Sequence, residues 1–310
     1  MNNKILLSIC IPTDGSINWV LPVIDAIYKH NTVSLDSFEV VVTDNGENSR
    51  LGDALQFFKY KNLRYIKTEE IGFFNLIRAL KEGKGILRKM LNHRSVLLPG
   101  IINNWIEICK IYCNTKPVLY FLDGNIKGNQ IIDCENIDKF IDKMSVWCSW
   151  SAGISVWDKD IPKLNNIQIN PMFPNSSLLF NLNENARYII INEKYQNMLD
   201  ETGKGGYKLF ETFGTTFLDM LFDLKSSKRI SDYTFTKVKK EVFYFLCHWY
   251  YTLKNNKSKY SFEDENIYES IKKYYSLYDY CKLIIIGNYK YIYSKIMRKL
   301  HHLKNVIIST

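Results

Sequence analysis

Residues 4–122 alternate short, apolar, β-branched runs with stretches of helical periodicity, and few folds accept that alternation. Lys4–Ile11 reads as a buried strand ended by Pro12, whose ring removes a ladder donor. Ile17–His30 carries apolar residues at 17, 20, 21, 24 and 27, the spacing of one helix face. Phe38–Thr43 (FEVVVT), Leu63–Thr68, Gly85–Leu91 and Val118–Leu122 read as further strands. Helical patterns at Asp53–Phe58, at Gly72–Glu82 and at Pro99–Cys113 lie between them. Strands and helices at this spacing predict βαβ units and a mainly parallel sheet flanked by helices. Ligands of such sheets gather beyond the carboxyl ends of the strands, so the loops after Ile11, Thr43, Thr68 and Leu91 are where chemistry is expected.

The remainder is less regular. Trp147, Trp150 and Trp157 cluster in a segment of mixed pattern, and from about residue 230 the chain reads as helices rich in Tyr and Lys. The expected division is a domain over residues 1–225 and a helical, basic region over residues 226–310. With 310 residues, 46% of them hydrophobic, the chain buries a full core without a disulfide or metal staple. Seven cysteines without a CxxC pair or a Cys/His array argue against a zinc site and for a reducing compartment. The apolar run Ile5–Ile11 ends at Pro12 rather than at a small-residue cleavage site, and no eighteen-residue apolar stretch follows. A cytoplasmic protein with at most peripheral membrane contact is therefore expected. The formal net charge of +9 implies an anionic partner.

After Pro12, Thr13 and Asp14 are placed to face a cleft, and Asp44 at a strand end is placed to accept hydrogen bonds from a base or ribose. Each alone is also ordinary turn chemistry, as in Asp44-Asn45-Gly46. Taken in order, SICIPT, FEVVVTDNG, NLRYIKTEEIGFFNLIRALKEGKG and KMLNHRSVLLPG resemble the N-terminal half of a family 2 glycosyltransferase. The resemblance covers residues 4–110 well and continues weakly to about 220. It implies a GT-A fold, Rossmann-like with a helical C-terminal extension, and a nucleotide-sugar donor linked through UDP, GDP or dTDP. Carried over residue by residue, donor binding falls to Pro12, Thr13, Asp14, Asp44 and Asn92, with Gly72, Asn75 and Arg78 on the helix that abuts the donor.

Two departures stand out. Where most of the family carries a D-x-D metal motif, this chain has Asn92-His93-Arg94-Ser95. A hard Mg²⁺ or Mn²⁺ ion prefers carboxylate oxygens, so no metal ion is expected. Arg94 and His93, with Arg88 or Lys89, are the candidates to offset the diphosphate charge directly, as Arg does with fixed bidentate donors. The run is similar to the LNH-S/T run of a subset of bacterial surface-polysaccharide transferases. The second departure is that Asn175 and Ser176 stand where the family places an acidic pair that includes the general base. Asp158, Asp160 and Asp123 are the replacements, Asp158 first, with Asn175 as the alternative that only orients the acceptor.

Gly203–Tyr207 reads as a flexible loop over the site. Residues 280–310 carry Lys282, Lys290, Lys295, Arg298, Lys299 and Lys304 with no Asp or Glu, a basic amphipathic helix suited to an anionic bilayer. No nucleic-acid module is present. The expected function is inverting sugar transfer to a polyprenyl-linked O-antigen or capsule precursor at the inner membrane surface. The alternatives are a catalytically silent nucleotide-sugar-binding or scaffold protein and a nucleotidyltransferase, the last lacking its G-x-G-T-R-like loop.

Overall fold

The strands β1 (Leu7–Thr13) and β2 (Phe38–Asp44) are covered on both faces, which is why they read as near-continuous apolar runs rather than as alternations. The helix α1 (Ile17–Lys29) connects them, and α2 (Arg50–Leu55) leads on to β3 (Leu63–Lys67). The helix α3 (Asn75–Glu82) then precedes β4 (Leu87–Met90), followed by β5 (Ser95–Leu97), α4 (Ile101–Tyr112) and β6 (Val118–Phe121). The computed structural model describes residues 4–183, 185–256 and 259–308, with side chains up to 298. It divides into two compact units, Met1–Asp200 and Glu201–Thr310, so residues 201–225 belong to the second.

The first unit continues with β7 (Ile131–Cys134), α5 (Ile137–Met144), β8 (Ser155–Trp157), α6 (Pro174–Asn181), β9 (Tyr188–Ile191) and β10 (Gln196–Met198). Its main sheet has the order β3-β2-β1-β4-β8, with the first four strands parallel and β8 antiparallel to β4. A second sheet, β6-β9-β7, is brought alongside by a bridge between Tyr120 and Ile154, and β5 pairs with β10. The strand order reverses next to β1, which marks the carboxyl rim there as the ligand position. The core fills the space between β1, β2, α1 and α4 with Ile9, Val40, Val42, Ile24 and Trp105.

Pro12 does not end β1. The strand runs on to Thr13, because pairing with β4 stops at Cys10–Met90 while pairing with β2 continues through Thr13–Asp44. The missing Pro12 donor faces the side that β4 has left, where it costs no ladder bond.

In the second unit, Gly203–Tyr207 is not a free loop. Most of it lies in β11 (Lys204–Lys208), which runs parallel to β12 (Tyr260–Glu263). Gly205, at φ +145°, lets the backbone of Ser261 and Phe262 approach where a side chain would collide. The helices α7 (Leu209–Glu211), α8 (Phe217–Ser226) and α9 (Asp232–Asn255) follow β11, and α10 (Ile267–Ile271) and α11 (Leu277–Ile308) follow β12. Ser231 caps α9 by accepting from the Thr234 amide at 3.1 Å. Among the described residues, no helix is long and apolar enough to cross a membrane.

Candidate active site

The carboxyl rim of the main sheet is sewn together by one amide. Asn75, at the start of α3 and 3% exposed, donates from Nδ2 to the carbonyls of Thr13 at 3.1 Å and Thr43 at 2.9 Å. Its Oδ1 is buried without a hydrogen-bond partner. The Asn45 amide adds a third link, donating to the Thr13 carbonyl at 3.1 Å. The turns after β1 and β2 are therefore one body.

Asp44 ends β2 fully buried. Its Oδ1 accepts from the Gly46 amide at 2.8 Å, its Oδ2 accepts from the Tyr65 hydroxyl at 2.8 Å, and Lys67 lies 3.6 Å away. The carboxylate holds the Asp44–Gly46 turn and turns no surface to solvent. Asp14, by contrast, keeps 61% of its side chain exposed on the rim. Burial works to raise its pKa, but the Ser16 hydroxyl donating at 2.6 Å and the neighbouring His93 outweigh it and hold the carboxyl below its ordinary value.

His93 and Arg94 arrive from the tight turn after β4. The Leu91 amide donates to the Cys10 carbonyl at 2.8 Å, the Arg94 amide to Asn92 Oδ1 at 2.9 Å, and the Ser95 amide to the Asn92 carbonyl at 2.9 Å. Asn92 thus shapes the turn that presents its neighbours. His93 Nδ1 lies 2.9 Å from Thr13 Oγ1 and 3.7 Å from Asp14 Oδ1. Burial pulls the imidazole down to about 4, opposed by Asp14 and aided by Arg94, so the ring is neutral at pH 7. The Arg94 guanidinium lies over the Trp19 indole, 3.3 Å from its centroid, and donates to the Asp200 carbonyl at 3.3 Å. That stack fixes the plane of the guanidinium. Trp19, on α1, escaped the sequence reading; its position one turn into a helix that starts at the first loop was the available signal.

Thr13, Asp14, Asp44, Asn75, Asn92, His93 and Arg94 therefore share one rim, with Pro12 in the strand beneath. The other candidates lie elsewhere. Arg78 points along α3 to Glu82, at 2.6 Å, rather than to the rim. Arg88 donates to the Leu80 carbonyl at 2.8 Å and closes the end of α3. Lys89 is fully buried, its ammonium donating to the Met90 carbonyl at 2.6 Å and to the Ala152 carbonyl. The rings of Trp105, Phe121 and Tyr195 surround it at 5.1, 4.9 and 5.2 Å. Neither cation reaches a ligand on the rim.

Asp158, the first choice as base, sits at the opposite edge of the sheet. Because β8 runs antiparallel to β4, its end lies beside the start of β4, where the Asp158 amide donates to the Ile86 carbonyl at 2.8 Å. Its carboxylate is paired with Lys116 at 2.6 Å and Lys4 at 3.0 Å. Asp160 follows it there, 3% exposed and paired with Lys163. Asp123 is on the correct rim, but its carboxylate accepts from the amides of Tyr195 at 2.7 Å and Gln196 at 3.1 Å. Asn175, 3% exposed, donates to the Ser149 carbonyl at 2.9 Å and braces the turn before β8. Of the tryptophans, Trp157 is core, whereas Trp150 stacks on Tyr195 and Trp147 is 37% exposed.

A large cavity of about 860 Å³, lined by Lys116, Pro117, Lys159 and Arg187, opens at the edge where β6 and β9 begin, away from the rim. Its size does not outweigh the strand-end geometry as a guide to chemistry. Among the described residues, no group of three or more His, Cys, Asp and Glu side chains is arranged to hold a metal ion. The exposed carboxylate on this rim is that of Asp14, 3.7 Å from His93 Nδ1.

No protein-family model and no curated protein sequence matches the chain. Solved structures do match. Residues 1–349 of S. aureus TarS in complex with UDP-GlcNAc align with a TM-score of 0.55 at 14% identity, over 81% of this chain and 75% of that one. The same fragment in complex with UDP gives 0.54 at 13% identity, over 81% and 74%. The likeness establishes the fold: a parallel-rich α/β sheet with flanking helices, the architecture of these structures, followed by a helical C-terminal region.

Proposed function

We propose that the chain is an inverting glycosyltransferase that moves a hexosyl group from a UDP-, GDP- or dTDP-linked donor to a glycan acceptor without a metal ion. The observation that carries this reading is the meeting of the Thr13–Asp14 turn with His93 and Arg94, sealed by the 2.9 Å contact between His93 and Thr13. A nucleoside diphosphate lying on the rim meets a guanidinium whose plane Trp19 has already fixed. The acceptor hydroxyl attacks the anomeric carbon as the bond to the diphosphate oxygen breaks on the opposite side, and its proton passes to surrounding water, while Arg94 offsets the charge that develops on the leaving group. The neutral His93 supports the turn without adding a second charge. The acceptor we assign is a polyprenyl-linked O-antigen or capsule precursor, met by a cytoplasmic protein on the inner face of the membrane. The overall charge of +9 suits both the phosphorylated donor and that surface.

A panel of nucleotide-sugars tests the reading by thermal stabilisation, since a ligand that binds the native state raises its melting temperature. Transfer or donor hydrolysis should persist in EDTA. Arg94→Ala should lower turnover by about 100-fold or more, the scale for removing a preorganised electrostatic contact. Unchanged turnover in Arg94→Ala removes the role assigned to it. The second reading, a silent nucleotide-sugar-binding protein, is favoured by the placement of Asp158 and Asn175 away from the rim surface. Donor stabilisation with no turnover on any acceptor would select it.

A further inference from the structure

The helix α11 has two apolar faces, and only one has a partner within the described residues. On the inner face, Leu283 and Gly287 are buried, Gly287 directly beneath the Tyr250 ring of α9. Lys254 of α9 donates to Asn288 at 2.5 Å and lies 5.3 Å from the Tyr291 ring, and Arg298 donates to Asn255. These contacts fix the rotation of α11 as far as Arg298. The outer face then presents Tyr278, Ile285, Tyr289, Ile292 and Ile296, exposed by 76, 67, 69, 56 and 51%. Their spacing of seven, four, three and four residues draws a straight stripe, about 27 Å long at 1.5 Å per residue. Tyr293 stacks on Tyr289 at 6.3 Å and widens it.

A stripe of this length exceeds the scattered apolar exposure of an ordinary surface and marks an interaction site. Charge decides the occupant. Lys282, Lys290, Lys295 and Arg298 belong to the same helix, and no Asp or Glu follows Asp279 in the sequence. A second copy of the helix would set like charges against each other, whereas anionic headgroups complement them. Tyr rings, apolar in body and polar at the tip, suit the level of the headgroups. We propose that the outer face of α11 docks on an anionic lipid bilayer, with the helix lying in the plane of the interface. This rests on the peripheral placement proposed above and names the surface responsible. Lys299 and Lys304, expected to add to the basic face, have side chains outside the described residues.

The test uses the full chain and phosphatidylcholine vesicles with and without phosphatidylglycerol, in a co-sedimentation assay. The expected result is retention on the anionic vesicles alone. The double substitution Ile285→Ser with Ile292→Ser should weaken binding more than ten-fold, and Lys290→Gln with Lys295→Gln should weaken it about five-fold per charge removed. All four positions are exposed, so donor stabilisation measured without lipid should not change; that control separates failure here from failure of the transferase reading. Equal retention on neutral vesicles, or full retention by both double variants, overturns the proposal. So does a lipid-free dimer in sedimentation equilibrium that Ile285→Ser with Ile292→Ser dissolves, since the occupant is then a second copy.

Discussion

Lys89 offers a measurement on the interior of the first unit that needs no substrate. Its ammonium is fully buried, hydrogen-bonded to two carbonyls and ringed by Trp105, Phe121 and Tyr195. Burial pulls its pKa down to about 7 from the ordinary 10.5, only partly offset by Asp123 and Cys10. The folded-state value is depressed, so the linked stability is complete above the unfolded value and is lost as pH falls through the folded one. Between those limits the unfolded chain holds one proton more than the native chain, and stability rises with pH. One proton corresponds to about 1.4 kcal/mol per pH unit, or roughly 2 kcal/mol between pH 7 and pH 9. The window closes as pH approaches 9.0, the ordinary thiol value, because the unfolded thiols of Cys10, Cys109, Cys134, Cys148 and Cys247 ionise there while burial keeps the native ones protonated, a linkage of opposite sign. The assay is urea unfolding at several pH values for the native chain, Lys89→Met and Lys89→Arg. Met keeps the stem and removes the proton, and Arg keeps a charge that does not titrate, so both variants should lose the rise. A Lys89→Met protein whose stability still climbs in parallel with the native chain refutes the assignment, whatever its stability at a single pH.

His93 makes a second linkage, lower on the pH scale. Burial holds its pKa near 4 against an ordinary 6.5, so its contribution is complete above 6.5 and is lost as pH falls through the folded value. His93→Gln should flatten the unfolding midpoint between pH 4 and 6.5, where the native chain loses up to about 1.4 kcal/mol per pH unit from this group. Gly153→Ala should destabilise by about 1–3 kcal/mol in urea unfolding, because its methyl group would overlap the buried Tyr120 ring, whose hydroxyl donates to the carbonyls of Trp147 and Trp150.

The first half of the fold was legible because β1 and β2 are covered on both faces and so announce themselves as apolar runs bounded by turn residues. β5, β8 and β10 were not, since three residues carry no readable period. Asp158 shows the cost. Its neighbourhood in sequence suggested the acceptor side, but the antiparallel sense of β8 carries it to the far edge, and strand direction is set by pairing rather than by composition. Lys89 misled for a related reason. A lysine within a strand suggests a cation facing solvent or ligand, and the rings that enclose it come from positions 105, 121 and 195, far apart in the chain. The rim itself was readable because βαβ order alone sends Thr13, Asp44 and His93 to the same end.

The Asn75 amide that bridges Thr13 and Thr43 has a mechanical consequence. Two loops tied through a single nitrogen cannot swing apart independently, so one bank of the cleft behaves as a fixed anvil. The opposite bank, the Asn92–Ser95 turn, meets it through side chains alone: His93 against Thr13 and Asp14, and Arg94 stacked on Trp19.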